Sequence, residues 1–316
     1  MRRAAAVLLG LVLGACGDAA GPSAGGKPGE VVVRIGHFPN ITHAHGLIAH
    51  ATTRIAAAAG TGKGWFEERL GPGVRVEWYG SYNAGPSAME AMLAGSLDLC
   101  YVGPNPALNA HVRSKGEEIR VIAGATRGGS ALVVREAAGI KAPADFKGRR
   151  VATPQLGNTQ DVACRAWLMG HGFAVRLTGG DVTVLPTHNP DQLLLFQSGD
   201  LDAAWTVEPW VSRLESEGGG RVLLEEKDAL TTVLVVSTRF QRAQPGLAKG
   251  AAAAHRELTQ WIAANPEEAK TRVRDRMRAI TTREVPKDLL DRCWARMRFE
   301  DAVAREEFES FVAAAG

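Results

Sequence analysis

The sequence predicts an α/β protein of two similar lobes, joined by two crossing strands, with a ligand cleft between them. Three observations predict it. Strand-like apolar runs alternate with helical patterns along most of the chain, which favours parallel sheets. The stretch 89–103, MEAMLAGSLDLCYVG, is echoed at 192–206 by QLLLFQSGDLDAAWT. Polar helix starts follow strands in both halves, and open parallel sheets take their ligands beyond the carboxyl ends of their strands.

The elements follow in order. Arg2 and Arg3 precede a short apolar stretch, and Leu13-Gly14-Ala15-Cys16 closes it. This is the pattern of a secretory signal over 1–15, and its end resembles a bacterial lipobox. Cys16 is expected to be lipidated and to become the mature N-terminus, so the chain is exported. Residues 17–29 are mostly Gly, Ala, Pro and Ser. They bury little apolar area, and 16–30 is expected to be a flexible tether with a reach of roughly 20 Å.

Strands are expected at 31–35, 74–78, 97–102, 120–124 and 131–134, then at 150–152, 181–185, 201–205, 222–224 and 233–237. Asp98 aligns with Asp202, and other features fall into step around them. Asn83 lies 15 residues before the first aspartate and Asn189 lies 13 before the second. Ala131-Leu-Val-Val answers Val233-Leu-Val-Val, and Asn40-Ile-Thr answers Asn158-Thr-Gln. One lobe is therefore expected from 31–128 plus 232–316, the other from 129–231. The crossing strands are expected near 124–134 and 224–235. Helices are expected at 247–264, 266–279, 287–297 and 302–314, wrapping back onto the first lobe.

Each half offers three helix starts at the expected cleft. A helix start presents unpaired N–H groups and a positive dipole end, so it favours anions without needing Lys or Arg. In the first half the starts hold Asn40 and Thr42, Asn83 and Gly85, and Gly103 with Asn105. In the second they hold Asn158, Thr159 and Gln160, then His188 with Asn189, then Glu208 with Trp210. Asn105-Pro106 and Asn189-Pro190 read as N-cap and first-turn pairs, and Asn158 with Asp161 has capping-box spacing.

Composition narrows the classes. Lys+Arg is 37 and Asp+Glu is 34, and removal of Arg2 and Arg3 leaves 35 against 34. A near-neutral chain has no bulk field for nucleic acid. Beyond the leader no apolar run approaches the ~20 residues that span a bilayer. Cys100, Cys164 and Cys293 remain after Cys16, and they read as buried small hydrophobes.

The motifs carry a resemblance. HFPNITHA at 37–44, GPNPALNA at 103–110, AGATRGGSALVV at 123–134, GNTQDVACRAWL at 157–168 and EPWVSRL at 208–214 resemble the substrate-binding lipoproteins of ABC importers. The group is that of aliphatic sulfonates, taurine and nitrate. The resemblance runs from about residue 31 to near the C-terminus. It implies a type II periplasmic-binding fold, a monomer that closes on one small anion and delivers it to the transmembrane subunits of a permease, without a cofactor. It implies a location in the periplasm or on the outer cell surface, with the lipid on Cys16 as the membrane anchor. By position it places ligand contacts at Asn40, Thr42, His43, Asn83, Gly85, Asn105, Thr126, Asn158, Thr159, Gln160, Glu208 and Trp210. Glu208 is unusual beside an anion. Three roles stay open for it: capping its own helix, accepting from an amine on the ligand, or bonding across the closed cleft.

Two other classes were weighed. His37, His43, His45 and His50 fall within fourteen residues, and histidine is a natural zinc ligand, as a zinc-transport lipoprotein requires. Residues two apart, such as His43 and His45, point to different sides of a helix, which argues against a shared ion. An enzyme on the same fold is the other reading. No nucleophile elbow, phosphate loop or zinc-protease motif supports it.

Overall fold

The computed structural model describes residues 29–309. The first half holds β1 (Val31–Gly36), α1 (Ala44–Ala58), α2 (Trp65–Leu70), β2 (Val74–Tyr79), α3 (Gly85–Leu93), β3 (Leu99–Val102), α4 (Pro104–Arg113) and β4 (Ile119–Gly128). A single 3-10 turn, Ile41–His43, leads into α1. The second half holds β5 (Ser130–Arg135), β6 (Arg150–Thr153), α5 (Thr159–Gly170), β7 (Val175–Arg176), β8 (Val182–Pro186), α6 (Asn189–Ser198), β9 (Ala203–Val207), α7 (Trp210–Glu217) and β10 (Gly220–Glu225). The chain then runs through β11 (Leu230–Ser237), α8 (Thr238–Ala243), α9 (Pro245–Ala264), α10 (Pro266–Thr281), α11 (Lys287–Ala295) and β12 (Met297–Phe299).

Two six-stranded sheets result, in the orders β12-β4-β11-β3-β1-β2 and β10-β5-β9-β6-β8-β7. The internal echo is real at the level of single bonds. Asp98 accepts the backbone N–H of Arg34 at 2.9 Å and returns its own N–H to the Arg34 carbonyl at 2.9 Å. Asp202 does the same with Arg150, at 2.9 Å and 3.0 Å. This aspartate knits the strand it opens to β1 in the first lobe and to β6 in the second. The Leu-Asp pairs thus precede β3 and β9; the strands start two residues later than expected.

The sheets are mixed. In each, the strand beside the aspartate strand runs antiparallel and has come from a crossing: β11 beside β3, β5 beside β9. The chain leaves the first sheet at the end of β4 and enters the second at β5. Gly128 and Gly129 make that step with φ of +74° and +68°, a left-handed conformation that side chains resist. The return crossing lies between β10 and β11.

Each sheet is covered on both faces, as parallel strands require. In the first, Ile35, Leu47, Phe66, Leu258 and Val273 pack on one face, and Met89, Leu97, Val102 and Val233 on the other. In the second, Phe146, Val184 and Trp205 face Phe196, Leu201 and Leu214 across the sheet. Burying one such side chain contributes about 1.5–3 kcal/mol. The C-terminal helices α9, α10 and α11 pack on the first sheet. The Trp65 indole, on α2, donates to the Ala254 carbonyl of α9 at 2.9 Å.

Three elements differ from expectation. The helix expected over 287–297 stops at Ala295, because Met297–Phe299 is recruited as an edge strand against β4. The two-residue strand β7 carries too little pattern to be read. Residues 302–304 are not helical; helix covers 305–309, and 310–314 lie outside the described residues, as does Cys16.

Candidate functional site

The carboxyl ends of β1, β2 and β3 face those of β6, β8 and β9 across a narrow cavity of about 30 Å³, room for one or two waters. The sequence-predicted Asn40, Thr42, His43, Asn83 and Gly85 line it from one lobe, and Asn158, Thr159 and Gln160 from the other. The lobes touch around it. Asn83 Nδ2 donates to the Pro154 carbonyl at 3.3 Å, Trp210 Nε1 to Asn40 Oδ1 at 3.3 Å, and Ile41 N–H to the Glu208 carbonyl at 3.0 Å.

The two lobes also come close at Gly103. A Cβ there would sit 2.4 Å from Thr159 Oγ1. The start of α4 thus lies against the start of α5, and a side chain at 103 would make Thr159 give way.

Among the described residues, no Lys, Arg, Asp or Glu lines this cavity. Its polarity comes from amides, hydroxyls and helix ends, and their orientations are set by neighbours. Asn158 Oδ1 accepts the Asp161 N–H at 2.8 Å and its carbonyl takes the Val162 N–H at 3.1 Å. The first two N–H groups of α5, on Thr159 and Gln160, are left without an intrahelical acceptor. Asn40 Oδ1 is taken by the Trp210 indole, and Asn189 Oδ1 by the Thr206 hydroxyl at 3.1 Å. Both amides therefore present their N–H₂ groups as donors. Two buried polar atoms of the cavity wall have no partner in the protein: Thr159 Oγ1 and His43 Nδ1. A buried donor without a partner costs about 1–3 kcal/mol, which a bound solute would recover.

Four sequence-predicted residues lie elsewhere. Thr126 is buried and donates to the Thr42 carbonyl at 2.7 Å, so it holds the 3-10 turn in place behind the cavity. Asn105 lines a neighbouring recess. Trp210 is buried beside Asn40 and orients that amide. Glu208 is fully buried and spoken for. It caps α7 through the Ser212 N–H at 3.1 Å and hydroxyl at 2.9 Å, and it takes the Arg296 guanidinium at 3.0 Å. Its carboxylate is thus turned to its own helix and to Arg296, the capping and bonding roles left open for it.

The caps shift as well. The N-cap of α4 is Gly103, with Pro104 and Asn105 already helical, and the N-cap of α6 is His188. Proline suits an early helical position, because its φ is preset and its missing N–H was unpaired anyway. Asn189, freed from capping, reaches Thr206 and the cavity. Phe38, Pro154, Val207 and Thr231 also line the cavity and were not foreseen. Asn189, at one of the helix starts expected at the cleft, lines the cavity too.

The histidines separate. His37 Nε2 meets His50 Nδ1 at 2.9 Å beneath Trp78, His45 Nε2 meets Thr259 Oγ1 at 3.0 Å, and His43 packs on Phe38 at the cavity wall. Among the described residues no three His, Cys, Asp or Glu side chains converge to hold a metal. The three cysteines beyond Cys16 are free and buried, as read.

Burial pushes His43 and His45 well below the usual imidazole range, and His37 and His255 down to about 4. Unfolded imidazoles protonate near pH 6.5; the buried ones resist until about pH 4. Between those values the unfolded chain binds more protons, so stability falls as pH falls. Each such histidine contributes about 1.4 kcal/mol per pH unit. Denaturant melts are expected to show a plateau above about pH 7 and a steep loss below about 6.5. Equal stability at about pH 6.5 and 5 would contradict the buried neutral histidines.

With this geometry in place, the kinship can be read. Residues 26–274 match the NMT1-like family. The protein belongs to that family. The taurine-binding periplasmic protein of Escherichia coli (strain K12) is 26% identical to this NMT1-like chain over 201 residues, 62% of the chain and 60% of the relative. The chain thus spans about 60% of that relative's length. Two solved structures share the fold. The periplasmic aliphatic sulphonate binding protein of Escherichia coli superposes with a TM-score of 0.68 at 20% identity, covering 90% of each chain. The periplasmic nitrate-binding protein of Synechocystis PCC 6803 does so at 0.69 and 18% identity, covering 90% of this chain and 80% of its own. The NMT1-like chain has the two-lobed periplasmic-binding fold. These relatives are named for binding, not for catalysis.

Proposed function

We propose that the protein is the extracytoplasmic solute-binding component of an ABC importer. It captures a small anion of the sulfonate, taurine or nitrate kind by closing its lobes, and passes it to the transmembrane subunits of a permease. It works as a monomer, held at a membrane by a lipid on Cys16, which lies outside the described residues. The observation that carries this reading is the cavity wall. Donors from both lobes converge on it, two buried polar atoms await a partner, and no charged side chain competes. Neutral donors and helix N-termini suit an oxyanion, whose charge they disperse without a counter-ion. The names of the relatives support the same solute class. The lobes are taken as 31–128 with 232–316 and as 129–231, hinged at the two crossings.

Calorimetry of the mature domain with small sulfonates, taurine and nitrate tests the reading. Thr159→Ala removes one hydrogen bond to a charged group, and a loss of about ten- to a hundredfold in affinity is expected. Unchanged affinity in that variant, with binding lost to a chelator, would put a different chemistry in the cleft. In the same strains, Cys16→Ser should move the protein from the membrane to the soluble exported fraction.

A further inference from the structure

Arg296 stands between the end of α11 and β12, the edge strand of the first sheet. Its main chain and its side chain bond to different parts of the molecule. The carbonyl accepts the Gly129 N–H at 2.9 Å, on the first crossing between the sheets. The guanidinium reaches the second sheet's α7. Nη1 donates to Glu208 Oε1 at 3.0 Å and to Ser212 Oγ at 3.1 Å, and Nη2 donates to Glu215 Oε2 at 2.8 Å.

Glu208 completes a ring. Its own N–H donates to the Gly129 carbonyl at 2.9 Å, so Gly129 is bonded to Arg296 through one backbone group and to Glu208 through the other. The ion pair then joins Arg296 to Glu208 directly. A further bond leads out of the ring toward the cavity. The Glu208 carbonyl accepts the Ile41 N–H at 3.0 Å, and Ile41 lies between Asn40 and Thr42, which both line the cavity. Arg296, Gly129 and Glu208 do not line it themselves.

We infer that Arg296 is a positioning residue for solute capture. Its ion pair with Glu208 holds the second lobe at the closed angle, and through the Glu208 carbonyl it keeps Asn40 and Thr42 on the cavity wall. The inference rests on the reading of the cavity as the solute site and of lobe closure as the means of capture. Two backbone bonds at Gly129 tie the lobes at one point, and a single point leaves an angle free. The ion pair adds a second point of attachment away from the crossing, and two points fix the angle. The Glu208 side chain is 0% exposed, and charges taken out of water gain little net stability from pairing, so the pair is read as setting a geometry. A protein whose closed form is less populated binds its solute more weakly by that fraction.

The test separates positioning from stability. It uses the mature domain, the double variant Glu208→Gln with Arg296→Met, and Glu215→Gln. Each is titrated calorimetrically with ethanesulfonate, 2-aminoethanesulfonate and nitrate, and each is unfolded with denaturant. The double variant strands no charge, so a merely structural role predicts binding as tight as the parent's. Positioning predicts binding about ten- to a hundredfold weaker, the range for a hydrogen bond to a charged group, together with a larger radius of gyration without solute. Glu215→Gln removes one partly exposed contact of the same guanidinium. It should bind about two- to fivefold more weakly, with the denaturation midpoint nearly unmoved. Parental affinity in the folded double variant would overturn the inference and leave the cavity reading standing. Should that variant not fold, parental affinity in Glu215→Gln would do so instead. If the parent binds none of the three probes, the cavity reading fails and the positioning role falls with it.

Discussion

Gly103→Ala is expected to cost the protein roughly a hundredfold or more in solute affinity while leaving the unliganded fold intact. The reason is contact between lobes. Gly103 has φ −65° and ψ 150°, an extended conformation that alanine adopts without strain. The first lobe should therefore fold as before. On closure the new methyl meets Thr159 Oγ1 at 2.4 Å. Either the lobes stop short, or Thr159 rotates its hydroxyl away from the cavity. Overpacking costs about 1–3 kcal/mol, and the second route also forfeits a hydrogen bond to the solute. Calorimetry paired with a thermal melt of the unliganded protein measures both halves of the expectation. Parental affinity in Gly103→Ala would mean that the lobes do not close at this point.

The second large effect concerns stability. Arg296→Met leaves the fully buried Glu208 carboxylate with only Ser212 and the Cys293 thiol as partners. Arg296 is itself only 22% exposed and also holds Glu215 at 2.8 Å. Breaking a buried pair from one side costs about 3–5 kcal/mol, because the remaining charge is stranded. Denaturant titration should show the midpoint fall with an unchanged slope. The double variant Glu208→Gln with Arg296→Met should recover much of the loss, since the stranded charge is gone. A single variant within about 1 kcal/mol of the parent would show that the pair is not a structural anchor.

The sequence motifs located most of the cavity wall, and the reason is local. Asn40, Asn83, Asn158 and Thr159 each follow a strand and sit at or just before a helix turn, and the chain path alone puts such residues at the mouth of a parallel sheet. Glu208 was open between three roles for the opposite reason. Its partner Arg296 is 88 residues away, on a segment that read as plain helix. Thr126 and Trp210 were drawn in by the family resemblance and turn out to act one layer back. Thr126 bonds the Thr42 carbonyl, and Trp210 turns the Asn40 amide. No pattern along the chain distinguishes a residue that touches a cavity from one that orients its neighbour.

By itself the sequence determined the alternation of strand and helix, the internal repeat, and the polar helix starts, because each depends on periodicity or on neighbours in the chain. It also determined that the two halves share one plan, through the aspartates that open β3 and β9. Only the tertiary structure decided that Gly103 and Thr159 nearly touch and which amide oxygens are already taken. Among its contacts are those between residues that are 30 to 96 positions apart, such as Ser130 with Gln160 and with Glu226. Their existence depends on where two sheets come to rest against each other, and hydrophobic periodicity specifies the sheets but not the side chains that meet between them.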